Sequence, residues 1–208
     1  MTKAVFLDRD GTLIQDLGYI CHFHQVGFFP FASAAVRALN EAGYLVIVVS
    51  NQSAVARGIC NKMEIELLHR ELQDHFKNQG AVIAAFYFCP FLADAAVLRY
   101  RCDSPMRKPA PGMLLQAAGD FKVDLPSSFM IGDKIDDIRA GQKAGCRTVL
   151  VRTGQGRHSE ISLQNIPPPV DHVVDDLLAA STLITSLAGP EEIERLRKKN
   201  RRRMFNEP

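Results

Sequence analysis

Short apolar runs alternate with segments of helical spacing along this chain. Continuous apolar runs are typical of strands that are buried on both faces of a parallel sheet. Such runs lie at 4–7, 44–49, 82–88 and 173–174, and shorter apolar runs with polar neighbours mark further strands at 128–131 and 146–151. Apolar residues spaced three and four apart predict helices between them, at 32–40, 63–77, 113–121, a stretch ending at 144, and 175–187. This order predicts an α/β fold, an open and mostly parallel sheet with helices on both faces.

Size and composition fit one compact unit. The 208 residues are 47% apolar, and the formal net charge of +2 gives no general bias toward nucleic acid or acidic membranes. We predict a single domain over 1–188, followed by a basic tail over 189–208. The five cysteines are odd in number and scattered, which favours reduced thiols. Since neither a membrane span nor a secretory signal is recognisable, we expect a cytoplasmic monomer without a membrane partner.

The first strand leads directly into two carboxylates. Asp8 and Asp10 follow 4–7, and a Gly-Thr pair then turns the chain. In a strand continued through these residues, both carboxylates point to one face and Arg9 to the other. Two carboxylates at such a short distance repel each other unless a cation lies between them, and Mg²⁺ prefers such oxygen ligands. One of them could then act as a nucleophile, although an Asp-Gly pair also marks ordinary polar turns.

Three later segments bring polar groups to the same end of the predicted sheet. Ser50 follows the second strand, where its hydroxyl can donate to a phosphoryl oxygen. Lys108 precedes a Pro-x-Pro-Gly turn and can stabilise a phosphoryl group, and Arg107 beside it offers a bidentate fork. Gly132 and Asp133 end a further strand, where the carboxylate can reach Mg²⁺. Each segment has a plainer alternative, such as a helix cap or a basic surface turn.

Together these segments resemble the four motifs of the haloacid dehalogenase-like (HAD) phosphohydrolases, in family order. Phe-Leu-Asp-Arg-Asp-Gly-Thr at 6–12 is similar to the first motif, in the form found in the histidinol-phosphate and heptose-bisphosphate phosphatase branch. Ser50 matches the second motif, Arg-Lys-Pro-x-Pro-Gly at 107–112 the third, and Gly-Asp-x-x-x-Asp at 132–137 the fourth. The resemblance implies a HAD-like Rossmannoid three-layer sandwich without a large cap domain.

The resemblance also implies a Mg²⁺-dependent phosphatase that works through an aspartyl phosphate. At the matching positions Asp8 is the nucleophile and Asp10 the general acid/base, while Ser50 and Lys108 brace the phosphoryl oxygens. Mg²⁺ is implied to bind Asp8, Asp133 and the Asp10 carbonyl. The implied substrate contacts are Asp16, Gly18, Tyr19, Asn51, Gln52, Arg107 and Lys134.

The implied substrate is a small phosphorylated metabolite, and a sugar bisphosphate fits the branch. The long segment 13–31 after the first motif has no clean periodicity, and we predict that it forms a substrate-facing flap. Asp16, Gly18 and Tyr19 lie in this flap and favour D-glycero-D-manno-heptose 1,7-bisphosphate. Histidinol phosphate is the rival substrate, because the two activities share these motifs.

Heptose-bisphosphate phosphatases commonly hold a structural zinc with Cys-x-His and Cys-x-Cys pairs. This chain has Cys89-Pro-Phe and Cys102-Asp-Ser, so Phe91 and Ser104 stand at two of the four ligand positions. Two thiolates alone rarely close a tetrahedral site, and structural zinc is therefore not expected. We expect apolar packing to hold this loop instead, through Phe88, Phe91, Leu92 and Leu98.

Two further polar features are expected to be solvated. His69 and His75 lie in the predicted helix 63–77 and are interpreted as surface groups. The basic run at 195–203 gives an alternative from a different class, a non-catalytic module that associates with nucleic acid. No aromatic residues are interleaved in this run for base stacking, so we favour a solvated tail and expect no nucleic-acid partner.

Overall fold

A computed structural model describes residues 2–164 and 166–187, and the basic tail of 189–208 lies outside the described residues. The strands of the described part are β1 (Ala4–Leu7), β2 (Leu45–Asn51), β3 (Ala85–Cys89), β4 (Phe129–Gly132), β5 (Arg147–Val151) and β6 (His172–Val174). They form one sheet in the order β3-β2-β1-β4-β5-β6, and each neighbouring pair is parallel. The predicted α/β fold with a parallel sheet is confirmed.

Helices connect these strands, because parallel neighbours require a crossover. Those of the described part are α1 (Ala32–Glu41), α2 (Ser53–Ala56), α3 (Lys62–Asn78), α4 (Gly112–Phe121), α5 (Ile135–Ala144), α6 (Gly156–Leu163) and α7 (Leu177–Leu187). The first turn of α3 is closed by a capping box, in which Asn61 and Glu64 each accept the other's backbone N–H. No helix among the described residues has the length and apolar character that a membrane crossing requires.

Successive side chains of the central strand enter two separate cores. Val5 and Leu7 pack into a cluster with α1, α3 and α7, whereas Ala4 and Phe6 pack into a second cluster with α4 and α5. All four residues are fully buried. Since neighbouring side chains of a strand point to opposite faces, this burial makes the sheet the middle of three layers. The continuous apolar run at the start of the chain therefore reports a strand that is covered on both faces.

Two local features differ from the sequence-based expectations. The helix α6 was not predicted, because its buried positions include the small residues Gly156 and Ser159 together with Leu163 and form no apolar stripe. The strand β1 ends at Leu7, and the turn begins at Arg9, between the two carboxylates rather than after the second. This early end changes where the side chains of residues 8–10 point.

The chain order places a crevice at the centre of the sheet. From β1 the chain crosses to β2 on one side, whereas β4 pairs with the other side of β1. In parallel α/β sheets, ligands bind where the strand order reverses in this way, beyond the carboxyl ends of the strands. The loops that follow β1, β2 and β4 therefore supply the candidate site.

Candidate active site

Polar side chains meet at the edge of the sheet where β1, β2 and β4 end. Asp8 directly follows β1, Ser50 is the penultimate residue of β2, and Asp133 directly follows β4. Lys108 comes from the loop before α4, and its side chain is only 2% exposed. Four residues that the sequence singled out from four separate segments thus lie at one edge of the sheet.

Three acceptors hold the Lys108 ammonium group. Its Nζ lies 2.7 Å from Asp8 Oδ1, 2.6 Å from Asp137 Oδ1 and 2.7 Å from the backbone oxygen of Val49. An ammonium group has three N–H donors, so these acceptors use its full capacity and fix the charge beside Asp8. Burial lowers the pKa of Lys108, but the carboxylates of Asp137 and Asp8 outweigh burial and keep this pKa above its ordinary value.

Three buried carboxylates surround this cation. One oxygen each of Asp8, Asp133 and Asp137 lies within 4.8 Å of the other two. Asp133 Oδ2 accepts the backbone N–H of Gln155 at 2.8 Å, whereas Asp133 Oδ1 is buried without a hydrogen-bond partner. Burial and then the charges of Asp8 and Asp137 raise the pKa of Asp133 to about 8. Excess negative charge with a free oxygen ligand fits a hard divalent cation such as Mg²⁺.

Two glycines let the backbone close on the Asp133 carboxylate. Gly11 has φ +90° and Gly154 has φ +55°, and a Cβ at either position would collide with Asp133 Oδ2. The Thr153 hydroxyl donates to the Gly11 carbonyl at 2.6 Å and joins the two loops. These close approaches require glycine at both positions.

Asp10 binds a different set of partners. Its carboxylate accepts hydrogen bonds from Arg9 Nε at 3.0 and 3.1 Å and from Gln52 Nε2 at 2.9 Å. Burial raises the pKa of Asp10 more than the Arg9 charge lowers it, so the net shift is upward. The prediction that Arg9 points away from both carboxylates is wrong. Since β1 ends at Leu7, the alternation of a strand does not extend to these residues.

The expectation that His69 is a solvated histidine is also wrong. His69 is 5% exposed, and its Nε2 lies 3.3 Å from Nη1 of the buried Arg9. The helical stripe of α3 was recognised from its aliphatic residues, but His69 immediately follows Leu68 at the edge of that stripe. The position of His69 beside the buried stripe indicates burial, but it does not specify the contact with Arg9. His75 is partly buried and stacks on Phe28 with ring centroids 4.0 Å apart.

The predicted flap brings one polar pair to the site. Lys134 Nζ lies 3.1 Å from Asp16 Oδ2, so the flap is tied to the loop after β4. Burial lowers the pKa of Lys134, but the charges of Asp8, Asp133 and Asp16 outweigh burial and raise it. The Gly18 N–H donates to Asp16 Oδ1 at 3.3 Å, with φ +89° at the glycine, and Tyr19 is half exposed beside them.

The other residues that were predicted to contact the substrate make hydrogen bonds within the protein. Asn51 Nδ2 donates to the Lys108 carbonyl at 2.9 Å, and Asn51 Oδ1 accepts the Lys108 N–H at 3.1 Å. Gln52 Nε2 donates to Ser50 Oγ at 2.7 Å as well as to Asp10. Arg107 Nη1 donates to the Phe91 carbonyl at 3.1 Å. Asn51 and Gln52 therefore also orient the residues beside them.

Comparison with known proteins decides the family. The HAD-hydrolase-like family model matches residues 105–180. A D-glycero-D-manno-heptose-1,7-bisphosphate 7-phosphatase from Thermosynechococcus vestitus is 42% identical over 192 residues, which cover 90% of this chain and 97% of the relative. The chain belongs to the HAD-like phosphatases. A relative from Photorhabdus laumondii, named D-glycero-beta-D-manno-heptose-1,7-bisphosphate 7-phosphatase, is 36% identical over 94% of this chain and 97% of its own length.

Solved structures of HAD-like phosphatases share this fold. A D,D-heptose 1,7-bisphosphate phosphatase from B. bronchiseptica, in complex with magnesium and phosphate, superposes with a TM-score of 0.79. It is 29% identical, and the match covers 90% of this chain and all of that one. A D,D-heptose 1,7-bisphosphate phosphatase from Burkholderia thailandensis is 26% identical with a TM-score of 0.66, over 89% and 99% of the two chains.

The loop between β3 and α4 follows Cys89 and contains Cys102. Cys89 is buried and Cys102 is exposed. Phe91 packs against the core formed with α4 and α5, and its ring meets that of Tyr100 edge-on at 5.9 Å. Leu98 is 75% exposed, so the prediction that it helps to pack this loop is wrong. The aromatic contact and backbone hydrogen bonds hold the loop in place of Leu98.

Proposed function

We propose that this protein is a Mg²⁺-dependent phosphomonoester hydrolase that acts on D-glycero-D-manno-heptose 1,7-bisphosphate and removes the 7-phosphate. The observation that carries the proposal is the placement of Asp8, which lies 2.7 Å from a buried ammonium group and beside the unpartnered oxygen of Asp133. Relatives with this activity in their names cover nearly the whole chain. The arrangement supports attack by a carboxylate on phosphorus.

In the proposed reaction Asp8 is the nucleophile. An Asp8 carboxylate oxygen forms a bond to phosphorus as the bond from phosphorus to the sugar oxygen breaks, which leaves an aspartyl phosphate. The fixed Lys108 charge stabilises the negative phosphoryl oxygens, since a preorganised cation needs no reorientation during the reaction. Ser50, next to this cation at the end of β2, donates its hydroxyl hydrogen to another phosphoryl oxygen.

Asp10 carries the proton in both halves of the proposed reaction. The upward shift of its pKa, caused by burial, favours the protonated acid that gives its proton to the departing sugar oxygen. The resulting carboxylate then takes a proton from water as the water oxygen bonds to phosphorus. The bond from phosphorus to Asp8 breaks, inorganic phosphate leaves, and both carboxyl groups return to their starting states.

The carboxylates of Asp8 and Asp133, together with the Asp10 carbonyl, would hold the Mg²⁺. When bound, the ion neutralises negative charge on the phosphoryl group and on the clustered carboxylates. The fit rests on the chemistry of the ligand set, because carboxylate and carbonyl oxygens suit Mg²⁺. Asp137, whose pKa burial and the Asp8 charge raise to about 6, supports Lys108 and the N–H of Lys134.

Residues around the crevice are proposed to recognise the sugar and its second phosphate. Lys134 and Asp16 lie at the flap side, where a sugar hydroxyl could replace part of their ion pair. The Phe91 carbonyl accepts a hydrogen bond from one guanidinium nitrogen of Arg107. The remaining donors of Arg107 can form a bidentate pair with a second phosphate. Histidinol phosphate is the second candidate substrate. It carries a single phosphate, so the role of Arg107 separates the two candidates.

The test measures phosphate release from heptose 1,7-bisphosphate, histidinol phosphate and a set of sugar monophosphates with Mg²⁺. We expect the highest kcat/KM for the heptose bisphosphate, and a heptose 1-phosphate as its product. Arg107→Gln should raise KM about tenfold for the bisphosphate and much less for heptose 7-phosphate, because only the former presents a second phosphate. Arg101→Gln in the same loop is the matched control. A preference for histidinol phosphate would overturn the substrate assignment.

We also propose that the loop of Cys89 and Cys102 holds no structural zinc. Phe91 has no donor atom for a metal, and Ser104 is a poor substitute for a thiolate. The purified protein should therefore contain much less than one zinc per chain when analysed by elemental mass spectrometry, and a chelator should leave its thermal midpoint unchanged in the absence of Mg²⁺. About one tightly held zinc per chain would contradict this proposal.

A further inference from the structure

The guanidinium group of Arg9 is completely buried beside the proposed acid/base. A buried charge is costly unless its hydrogen-bonding groups are satisfied. Arg9 Nε and Nη2 bind the Asp10 carboxylate, with an Nη2 to Oδ1 distance of 2.9 Å. Arg9 Nη2 also lies 3.2 Å from the Ile20 carbonyl of the flap, and Nη1 lies 3.3 Å from His69 Nε2. The guanidinium group thus connects Asp10, the flap and helix α3.

His69 is suited to accept from this guanidinium group. Burial, together with the Arg9 charge, holds the pKa of His69 well below its ordinary value, so the ring stays neutral. Since an arginine can only donate, Nε2 is the acceptor and Nδ1 carries the proton. The ring stacks on Phe86 with a centroid distance of 4.7 Å and meets Phe88 edge-on at 5.3 Å. Both phenylalanines belong to β3, so the sheet fixes the direction in which Nε2 points.

We propose that His69 is a positioning residue for the reaction, which holds Arg9 so that Arg9 holds the Asp10 carboxylate in the orientation for proton transfer. This inference rests on the proposed phosphatase function and adds a component to the same site. His69 does not touch the crevice itself and acts only through Arg9. A small rotation of the guanidinium group would move both hydrogen bonds to Asp10, because they share one planar group.

If His69 had a purely structural role, the effect of its removal on kcat/KM would not depend on the leaving group. A sugar oxygen leaves as an alkoxide unless it is protonated, whereas p-nitrophenolate leaves without a proton. The value of kcat/KM reports the steps up to departure of this group, so a misplaced Asp10 should slow the sugar phosphate selectively. General loss of folded protein or of Mg²⁺ affinity should slow both substrates alike.

The experiment compares kcat/KM for the best sugar phosphate and for p-nitrophenyl phosphate in the wild type, His69→Leu and His69→Gln. We expect His69→Leu to lose about tenfold or more with the sugar phosphate and less than about threefold with the aryl phosphate, since general acid catalysis contributes about 10²–10⁴-fold. His69→Gln should keep most of the wild-type ratio, because its amide oxygen can accept from Arg9. KM should change little in either variant.

His75→Leu is the matched control. It removes an imidazole of the same helix whose ring packs on the flap residues Phe23 and Phe28 rather than on Arg9. Its ratio of the two kcat/KM values should equal that of the wild type. An equal loss with both substrates in His69→Leu, or an unchanged ratio, would overturn the positioning role. A wild type that hydrolyses neither substrate would instead overturn the proposed function.

Chemical rescue provides a second measurement. His69 lines an open concavity of about 410 Å³ together with Glu66, Arg70, Gln73, Phe86 and Phe88. Added imidazole can therefore reach the space vacated in His69→Ala and accept from Arg9. We expect imidazole to restore the sugar-phosphate rate of His69→Ala by about threefold or more, within the range of general acid catalysis, and to leave the wild type unchanged. Failure of both imidazole and His69→Gln to restore the ratio would contradict the proposal even if His69→Leu is unstable.

Discussion

Two buried charge clusters lie on either side of the turn after β1; the first carries an excess of negative charge, whereas the second is balanced. The first cluster gathers the carboxylates of Asp8, Asp133 and Asp137 around one ammonium group and leaves an oxygen of Asp133 without a partner. The second cluster pairs one carboxylate, Asp10, with one guanidinium group and surrounds both with neutral partners. The segment after β1 thus supplies one carboxylate to each cluster.

This difference separates a site that requires a cation from one that is complete within the chain. Carboxylates at this separation repel each other, so the first cluster costs folding free energy until a divalent ion binds. The second cluster satisfies its own charge, with Gln52 and His69 as neutral neighbours. We infer that the first cluster is built to bind a cation and the phosphoryl group, while the second is built to hold the acid/base Asp10 in a fixed geometry.

The largest expected effect is the loss of turnover in Asp8→Asn. An amide is a poor nucleophile toward phosphorus, so the rate should fall by about 10³-fold or more, as when other covalent nucleophiles are removed. The protein should stay folded, because the amide oxygen can still accept from Lys108. Phosphate release and trapping of the acid-stable aspartyl phosphate measure this. A variant that retained the wild-type rate would place the nucleophile elsewhere and remove the basis of the comparison.

The first cluster was more accessible to sequence reasoning than the second. Apolar runs located the strands, and the groups that follow them had to meet because parallel strands end at one edge. Asp8, Ser50 and Asp133 were therefore predictable as neighbours, whereas Lys108 follows no strand directly and was placed with them by its resemblance to the third motif. Which side chains pair within the cluster, such as Asp137 with Lys108, depends on side-chain geometry. The spacing of residues along the sequence does not specify that geometry.

The second cluster depends on contacts between distant segments. The contact between Arg9 and His69 spans 60 positions and requires both an early end of β1 and the packing of α3 against β3. Helical spacing places His69 four residues after Ile65, on the buried side of the helix, and only its polar side chain favours a surface position. The contact becomes evident only when the tertiary packing is known.

The next effect tests whether the second cluster depends on its own cation. Arg9→Met removes the guanidinium charge at similar volume, so Asp10 keeps only its hydrogen bond from Gln52, and His69 and the Ile20 carbonyl lose the hydrogen bonds that Arg9 donates. Breaking a buried pair in this way should lower the free energy of unfolding by about 3–5 kcal/mol. Urea unfolding with and without Mg²⁺ measures the loss. A loss that Mg²⁺ reverses would show that the two clusters share one role.

Removing a charge from the first cluster should instead raise the stability of the metal-free protein. In Asp133→Asn the amide oxygen can still accept from the Gln155 N–H, and the amide nitrogen can face Asp8 and Asp137 in place of the unpartnered oxygen. Relief of repulsion should stabilise the metal-free protein by about 1 kcal/mol, or about 2–4 °C in thermal midpoint for a chain of this size. Activity should be lost, and Mg²⁺ should no longer raise the midpoint. A lower midpoint in the metal-free variant would contradict the account of this cluster.

The last effect concerns acid and the second cluster. His69 is neutral when folded, because its pKa is held well below the ordinary value, but in the unfolded chain it binds a proton below about pH 6.5. The unfolded state then holds more protons, so stability should fall as the pH falls below about 6.5. The contribution is about 1.4 kcal/mol per pH unit until the lower pKa of the folded state is reached.

The variant His69→Gln isolates this contribution, because glutamine accepts from Arg9 but does not titrate. The free energy of unfolding is measured with urea for the wild type and for His69→Gln between pH 7 and pH 5. It should fall less steeply for the variant as the pH falls, so that the two curves diverge on the acid side. His158→Gln, at an exposed position of α6, controls for replacement of a surface histidine. Parallel curves for the wild type and His69→Gln would mean that the ring is protonated in the folded protein, and the second cluster would then hold two adjacent cations rather than a balanced pair.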